Sequence, residues 1–195
     1  MSPLRRLAVF AAASDGHDPA LRGLAYDVGS ELARRGIGLV YGAGRSGLMG
    51  ALSQGALDAG GEVIGVIPEA MIAREWGRHD LTRLRVVATM HERKAEMAAL
   101  SDAFLALPGG LGTLEEIVEV WSWSYLGFLD EPVGFLNADG FWDPFLASVR
   151  GMAEAGFIRP GAVSRLVVAP DLDQALAGLE SLAGPGGVRP TLPSA

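Results

Sequence analysis

Two glutamates directly behind a glycine turn are the residues best suited to catalysis. Glu115 and Glu116 follow the string PGGLGT, which occupies positions 108–113. A glycine turn that enters a helix leaves backbone N–H groups unpaired and pointing one way, so it forms a ready site for a phosphate. Two carboxylates would repel that anion unless they faced another part of the ligand. The stretch therefore predicts a ligand with a phosphate at one end and a reacting centre, served by a carboxylate, at the other.

Three elements must position these groups. Helix-forming residues with apolar side chains on one face predict a helix over 91–99 that ends at Ser101 and Asp102. The continuous apolar run 103–107 predicts a strand covered on both faces of a parallel sheet. Thr113 is expected to cap the following helix, with both glutamates in its first turn. A tight turn without a ligand is the alternative, because glycine motifs give many false positives.

A second glycine loop, GAGRSG at 42–47, lies between a predicted strand at 38–41 and a predicted helix at 48–59. It resembles a dinucleotide-binding fingerprint, in which glycines occupy the turn and the start of the helix. A plain tight turn is again the alternative. Both glycine loops follow strands, so both are expected at the carboxyl edge of one sheet, where ligands bind in open α/β folds.

Strands and helices alternate along the chain, which predicts an α/β fold with a doubly wound parallel sheet and helices on both faces. Residues 1–183 are expected to form a single domain, and the Pro/Gly-rich tail 184–195 is expected to be disordered.

The polar segment 71–84 is expected to be a surface lid. A helix containing Trp121, Trp123 and Leu126 is interpreted as a subunit interface in preference to core. The remaining strands are predicted at 7–13, 62–68, 85–87, 132–136 and 167–169, and the remaining helices at 18–35, 141–155 and 171–183.

Composition excludes several classes of function. A net charge of −7 argues against non-specific binding to nucleic acid, which requires a basic face. Zero cysteines exclude disulfides, thiolate metal sites and a cysteine nucleophile, and dispersed carboxylates with 3 histidines indicate no metal site. No apolar run approaches the ~20 residues that span a membrane, and the apolar run 7–13 is too short for a signal peptide. We therefore expect a cytoplasmic protein that does not bind membranes.

The full strings are more specific than either loop. HERKAEM at 91–97, LPGGLGTLEE at 107–116 and YGAGRSGLMG at 41–50 together resemble the signature of the LOG ("LONELY GUY") family, the cytokinin riboside 5′-monophosphate phosphoribohydrolases, which often carry the older label of lysine decarboxylases. The resemblance covers roughly 9–179 and implies a Rossmann-like fold without a cofactor. The family reaction is hydrolysis of the N-glycosidic bond between an adenine base, usually N6-modified, and ribose 5′-monophosphate. One departure is Ala43, where the family has glycine. It is expected to require a negative φ, and its methyl group is expected to narrow the ligand's approach.

The resemblance assigns roles to individual residues. Arg93 is implied as the catalytic arginine, which orients the ribose phosphate and balances the charge of a glutamate. Glu116 is the first choice for the catalytic carboxylate and Glu115 the second. The alternative for Arg93 is a solvated salt bridge to Glu92 or Glu96, and a catalytic role for His91 is not expected. The implied substrate-binding residues are Glu75, Lys94, Gly109, Gly110, Leu111, Gly112, Thr113, Leu114, Ser122, Gly42, Gly44, Gly47 and Met49.

Two other functions remain open at this point. Related proteins of this fold carry molybdenum cofactor, and a phosphate-holding loop would serve a carrier as well as an enzyme. A lysine decarboxylase would need pyridoxal phosphate, for which Lys94 is the single possible anchor. The pair of Arg93 and Glu116 favours the phosphoribohydrolase. The resemblance implies a nucleotide as small-molecule substrate and at least a homodimer, and it leaves plain AMP and N6-prenylated AMP equally possible.

Overall fold

A computed structural model describes residues 4–72 and 77–183 of the chain. One seven-stranded sheet runs through this part, with parallel neighbours throughout and the order β4-β3-β2-β1-β5-β6-β7. The chain moves from β1 outward to β4, returns beside β1 as β5, and continues outward to β7. The strands are β1 Arg6–Phe10, β2 Gly38–Tyr41, β3 Val63–Pro68, β4 Arg83–Val87, β5 Ala103–Ala106, β6 Val133–Leu136 and β7 Leu166–Ala169. This order confirms the predicted doubly wound α/β fold.

Helices cover both faces of the sheet. One core joins the sheet to α1, α2 and α8, and the other joins it to α4, α5 and α6. The helices are α1 Ala20–Arg34, α2 Gly47–Asp58, α3 Glu69–Ile72, α4 Met90–Leu100, α5 Leu111–Leu126, α6 Asp143–Glu154, α7 Pro160–Ser164 and α8 Leu172–Leu182, with a 3₁₀ turn at Ala138–Gly140. Adjacent residues of one buried strand face different cores, so β1 sends Leu7 and Val9 into the first and Ala8 and Phe10 into the second.

Most elements were predicted within a few residues of their observed bounds. Two predictions about the start of α5 are wrong, namely its N-cap residue and the position of the two glutamates. Gly110, not Thr113, is the N-cap of α5, because Gly110 is extended and its carbonyl accepts the Leu114 N–H at 2.9 Å. Thr113 therefore lies within the first turn. Glu115 and Glu116 lie just beyond that turn and not inside it, so they are placed further from the free N–H groups than the sequence suggested.

The short helix α7 was not predicted, and it changes the interpretation of the tryptophans. Trp121 and Trp123 are partly buried against the second core, and the Trp121 indole N–H donates to the Ala162 carbonyl on α7 at 3.4 Å. Leu126 is exposed at the end of α5. The tryptophans thus contribute to packing within this chain.

The segment predicted as a lid is only partly described. Its first residues, 71 and 72, form the end of α3, and its last two, 83 and 84, begin the exposed edge strand β4, which starts two residues before the predicted position of Arg85. Gly77 pairs with Gly44 of the glycine loop in an antiparallel bridge. Glu75 and the predicted disordered tail 184–195 lie outside the described residues. None of the helices in the described ranges is both long and apolar enough to cross a bilayer.

Candidate active site

Helix α4 begins with a local motif that directs one arginine inward. The Thr89 side chain accepts the Glu92 N–H at 3.1 Å, and the Glu92 carboxylate accepts the Ala88 N–H at 2.9 Å. This arrangement is a variant of the capping box. It commits Glu92 to the start of the helix and leaves the next residue, Arg93, on the face that meets the sheet.

Arg93 is buried, with only 5% of its surface exposed. Its Nε donates to the Val66 carbonyl at 3.2 Å and its Nη2 donates to the Gly42 carbonyl at 3.2 Å. Its Nη1 lies 3.3 Å from Glu116 Oε1. The solvated salt bridge considered from the sequence is therefore wrong. Glu92 caps the helix, and Glu96 pairs with Arg85 at 3.7 Å.

The glycine loop after β2 makes room for this arginine. A Cβ atom at Gly42 would lie 1.7 Å from Arg93 Nη2, so only glycine allows the guanidinium to reach the loop carbonyl. Gly47 has a φ of +61°, and a Cβ there would lie 2.3 Å from the Ala13 carbonyl carbon. A Cβ at Gly44 would contact the Met49 side chain at 2.6 Å.

The N-terminus of α2 is already occupied by the protein. The Met49 N–H donates to the Ala12 carbonyl at 3.0 Å, and the Leu48 N–H donates to the Ser14 carbonyl at 3.4 Å. These groups would otherwise be free at a helix start. The loop that resembled a dinucleotide fingerprint is thus used for packing against the β1–α1 connection and for receiving Arg93.

Ala43 does not behave as the sequence suggested. Its φ is +58°, not negative, and the residue is completely buried. Its methyl group points at Gly65 on β3, where an added Cβ would lie only 2.7 Å away. The absence of a side chain at Gly65 provides the space, so the methyl group is directed into the sheet and does not narrow a ligand's approach.

The turn before α5 contrasts with the start of α2, where the protein's own carbonyls accept the N–H groups. None of the described residues accepts the N–H groups of Leu111, Gly112 and Thr113, which open the helix. A Cβ added at Gly110 or Gly112 would meet no atom within 4 Å, so both glycines face open space. A Cβ at Gly109 would lie 2.2 Å from Thr113 Oγ1, which is why the turn needs glycine there. This helix start therefore keeps the free N–H groups on which the prediction of an anion site rests.

The two glutamates are separated by their surroundings. Glu116 is 9% exposed and its pKa is raised, because burial penalises the charged form more than Arg93 favours it. The Glu115 side chain is 55% exposed and pairs with Lys94 Nζ at 2.5 Å. Glu116 faces the interior next to the glycine turn, whereas Glu115 faces the space between α4 and α5. The geometry therefore favours Glu116 as the reactive carboxylate.

Comparison with known proteins is consistent with this arrangement. A family profile described as "Possible lysine decarboxylase" matches residues 49–179. The chain is 47% identical over 182 residues to cytokinin riboside 5′-monophosphate phosphoribohydrolase LOG3 of Arabidopsis thaliana, which covers 93% of this chain and 85% of that protein. It is 45% identical over 179 residues to the phosphoribohydrolase LOG of Oryza sativa subsp. japonica, covering 92% and 74% of the two chains. The chain belongs to this phosphoribohydrolase family. The resemblance inferred from the sequence strings is confirmed.

Among solved structures, the molybdenum cofactor binding protein from the phototrophic bacterium Rippkaea orientalis superposes with a TM-score of 0.67. It is 22% identical and the match covers 93% of this chain and 98% of that one. At this identity the likeness establishes a shared fold and no shared ligand.

Four positions that the phosphoribohydrolase resemblance assigned to substrate binding differ in their surroundings. Lys94 is held by two carboxylates, Glu115 at 2.5 Å and Glu119 at 2.6 Å. Ser122 is exposed and lies nine residues beyond Thr113 on α5, about 13 Å further along the helix axis. Leu114 packs partly against the second core, whereas Leu111 is 87% exposed at the mouth of the turn.

Glu119 was not among the site residues predicted from the sequence. Its signal is the spacing from Glu115, because residues four apart lie on one face of a helix. Burial lowers the pKa of Lys94, but its hydrogen bonds to Glu115 and Glu119 raise it more, so the net shift is upward.

His91 is exposed, with its ring edge-on to Trp123 at 6.4 Å between centroids. Within the described ranges no three His, Cys, Asp or Glu side chains form a metal-binding group.

Proposed function

We propose that this chain hydrolyses the N-glycosidic bond of adenosine 5′-monophosphates, including N6-modified ones, and releases the free base and ribose 5-phosphate. One observation carries the proposal. A buried carboxylate, Glu116, pairs with Arg93 one helical turn beyond the Thr113 N–H, which no described residue accepts. The site thus offers a phosphate position and a carboxylate close together, as a nucleoside monophosphate requires. Known relatives at 45–47% identity carry the name of this activity.

The chemistry follows from this spacing. The phosphate accepts the N–H groups of Leu111, Gly112 and Thr113, where the helix dipole adds favourable electrostatics. The bond between ribose C1′ and the base nitrogen breaks. Water adds its hydroxyl group to C1′, and in the overall reaction the released base takes the remaining proton of that water. The departing base leaves positive charge on the sugar ring. The Glu116 carboxylate stabilises that charge or takes the proton from the attacking water.

Arg93 acts on Glu116 in this proposal. Two of its three nitrogens donate to the Val66 and Gly42 carbonyls, and the third faces the carboxylate. Burial raises the pKa of the Glu116 carboxyl group, and Arg93 lowers it. The arginine thereby favours the charged form that the reaction uses. Nη1 also lies 3.9 Å from Met90 Sδ. A guanidinium has five N–H donors, so Arg93 would bind the ribose phosphate through the donors of Nη1 and Nη2 that these contacts do not use.

The two competing functions fit the site less well. A cofactor carrier needs a phosphate site but no buried carboxylate beside the sugar, so the Arg93–Glu116 pair favours the enzyme. A decarboxylase needs a lysine amine that becomes neutral in order to attack an aldehyde. Lys94 is instead an ion-paired ammonium with a raised pKa.

A homodimer in the cytoplasm completes the proposal. Leu126 and Phe128, at the end of α5, expose apolar side chains next to the partly buried Trp123. We infer that a second copy covers this end of the helix that carries Trp121. Sedimentation at micromolar concentration should give twice the monomer mass of 20.4 kDa. A monomer would contradict the inferred interface.

The direct test is release of free base. Purified protein is incubated with AMP and separately with N6-isopentenyl-AMP, and the base is followed by chromatography alongside the variant Glu116→Gln. Wild type should release base and the variant should not, although it should still bind nucleotide, since the substitution keeps size and removes charge. Nucleotide binding without any release by wild type would favour the carrier.

A further inference from the structure

We propose that Lys94 and Glu119 are positioning residues: together with Glu115 they form a charge clamp that fixes α4 to α5 and so holds Arg93 against Glu116. Lys94, Glu115 and Glu119 make up this charge clamp. The inference rests on the proposed function, because its main readout is the rate of base release.

The clamp joins one residue of α4 to two successive turns of α5. Lys94 Nζ lies 2.5 Å from Glu115 Oε1 and 2.6 Å from Glu119 Oε2, and the lysine side chain is only 11% exposed. Glu115 and Glu119 are four residues apart and therefore lie on one face of α5. A single cation thus limits both sliding and rotation of one helix against the other.

The clamp lies immediately beside the catalytic pair. Arg93 precedes Lys94 on α4, and Glu115 precedes Glu116 on α5. Adjacent helical residues point about 100° apart, so the two sets of contacts form an inner and an outer layer between the same helices. The carbonyls of Val66 on β3 and Gly42 in the glycine loop fix Arg93 directly. The clamp fixes the helix that carries Glu116 to the helix that carries Arg93.

Charge argues against a direct contact between Lys94 and the substrate phosphate. The ammonium group has three donors, and two carboxylates already lie within 2.6 Å of it. The clamp as a whole carries one net negative charge, which does not attract a phosphate. The N–H groups at the start of α5 provide the uncommitted positive end of the site.

The clamp also predicts a specific pH signature. Glu116 is surrounded by Arg93 and Lys94 on α4 and by Glu115 and Glu119 on its own helix. Lys94 lowers its pKa, whereas Glu115 and Glu119 raise it. Removing Lys94 should move the acidic limb of kcat/KM to higher pH, and removing the charge of Glu119 should move it to lower pH.

The experiment compares Lys94→Met and Glu119→Gln with wild type and with the control Glu96→Gln. Glu96 lies on α4, pairs with the exposed Arg85 at 3.7 Å, and loses the same single charge as Glu119. We expect kcat to fall about tenfold in both clamp variants with KM nearly unchanged, below the roughly hundredfold cost of a full 1 Å misplacement. The control should behave as wild type, and Lys94→Arg, which keeps the charge, should retain most of kcat.

Two results would overturn the inference. An increase in KM with unchanged kcat in Lys94→Met would make the lysine a substrate ligand. Equal behaviour of Glu119→Gln and Glu96→Gln would remove Glu119 from the machinery.

A second measurement separates failure of the clamp from failure of the proposed function. Thermal unfolding of Lys94→Met, Glu116→Gln and the double variant requires no turnover. If the clamp supports the inner pair, the double variant loses less stability than the sum of the two single losses. Additive losses would refute the coupling. Absence of base release by wild type would refute the proposed function, and the unfolding cycle would still decide the clamp.

Discussion

The substitution Gly42→Ala tests how the site is built. The added methyl group would lie 1.7 Å from Arg93 Nη2 and 2.8 Å from the guanidinium carbon, where ordinary contacts are 3.4 Å or more. The guanidinium cannot tolerate this overlap and must move by more than 1 Å. Arg93 then loses the Gly42 carbonyl and its alignment with Glu116.

The magnitude follows from these contacts. A displacement of about 1 Å at a catalytic group costs on the order of a hundredfold in rate, so kcat/KM should fall by at least that factor. The pKa of Glu116 should rise further, because Arg93 is the strongest influence that lowers it. The residual activity should therefore require higher pH than wild type. Loss of the hydrogen bond to a charged donor should cost roughly 1.5–3 kcal/mol in the free energy of unfolding.

The assay is release of adenine from AMP across a pH range, together with thermal unfolding. Gly23→Ala is the matched control, because an added Cβ at this exposed position of α1 meets no atom within 4 Å. The control should keep wild-type kinetics and gain stability, since alanine is the better helix former. If Gly42→Ala retains kcat/KM within twofold of wild type, the proposed role of Arg93 in holding Glu116 is refuted.

Further outcomes are expected at the same site. Glu116→Gln should abolish base release, whereas Glu115→Gln should keep measurable turnover, because only Glu116 is buried against Arg93; equal losses in the two variants would contradict the assignment. The acidic limb of the wild-type kcat/KM profile should lie above the ordinary glutamate pKa of 4.5, since burial raises the folded-state value and activity needs the ionised form; a limb at or below 4.5 would exclude Glu116 as its source. Gly112→Asp should raise KM about tenfold or more without lowering the unfolding temperature, because a carboxylate at a helix start suits the dipole but repels a phosphate; an unchanged KM would place the phosphate elsewhere.

The fold was largely predictable because the buried strands of this chain are recognisable as continuous apolar runs. Runs such as 103–107 are apolar at every position, which distinguishes strands covered on both faces from amphipathic helices. Capping residues marked helix starts where a side chain does the capping, as Asp171 does by accepting the Gln174 N–H. The start of α5 was misplaced because the cap there is a glycine backbone, which carries no side-chain signal. The helix α7 was missed because five residues are too few to show a period.

The sequence singled out Arg93 and Glu116 together, but it did not show how Glu115 and Glu116 differ. The strings around Arg93 and Glu116 identified the pair, and the structure places their side chains 3.3 Å apart. Local sequence could not separate Glu115 from Glu116, because adjacent helical residues of the same type differ only in what lies beside them. It also could not show that the glycine loop serves Arg93, since that contact joins residues 51 positions apart.

The amino-acid sequence by itself determined the alternation of strands and helices, the two glycine turns and the set of ionisable residues between them. Tertiary structure decided how the N–H groups of each turn are used. Both turns precede helices, but the carbonyls of Ala12 and Ser14 accept the N–H groups of one helix start, whereas no described residue accepts those of Leu111, Gly112 and Thr113 at the other. Tertiary structure also decided that Glu116 is buried against an arginine while Glu115 joins a lysine at the surface. Burial and pairing depend on which elements meet in space, and a pattern along one chain does not contain that information.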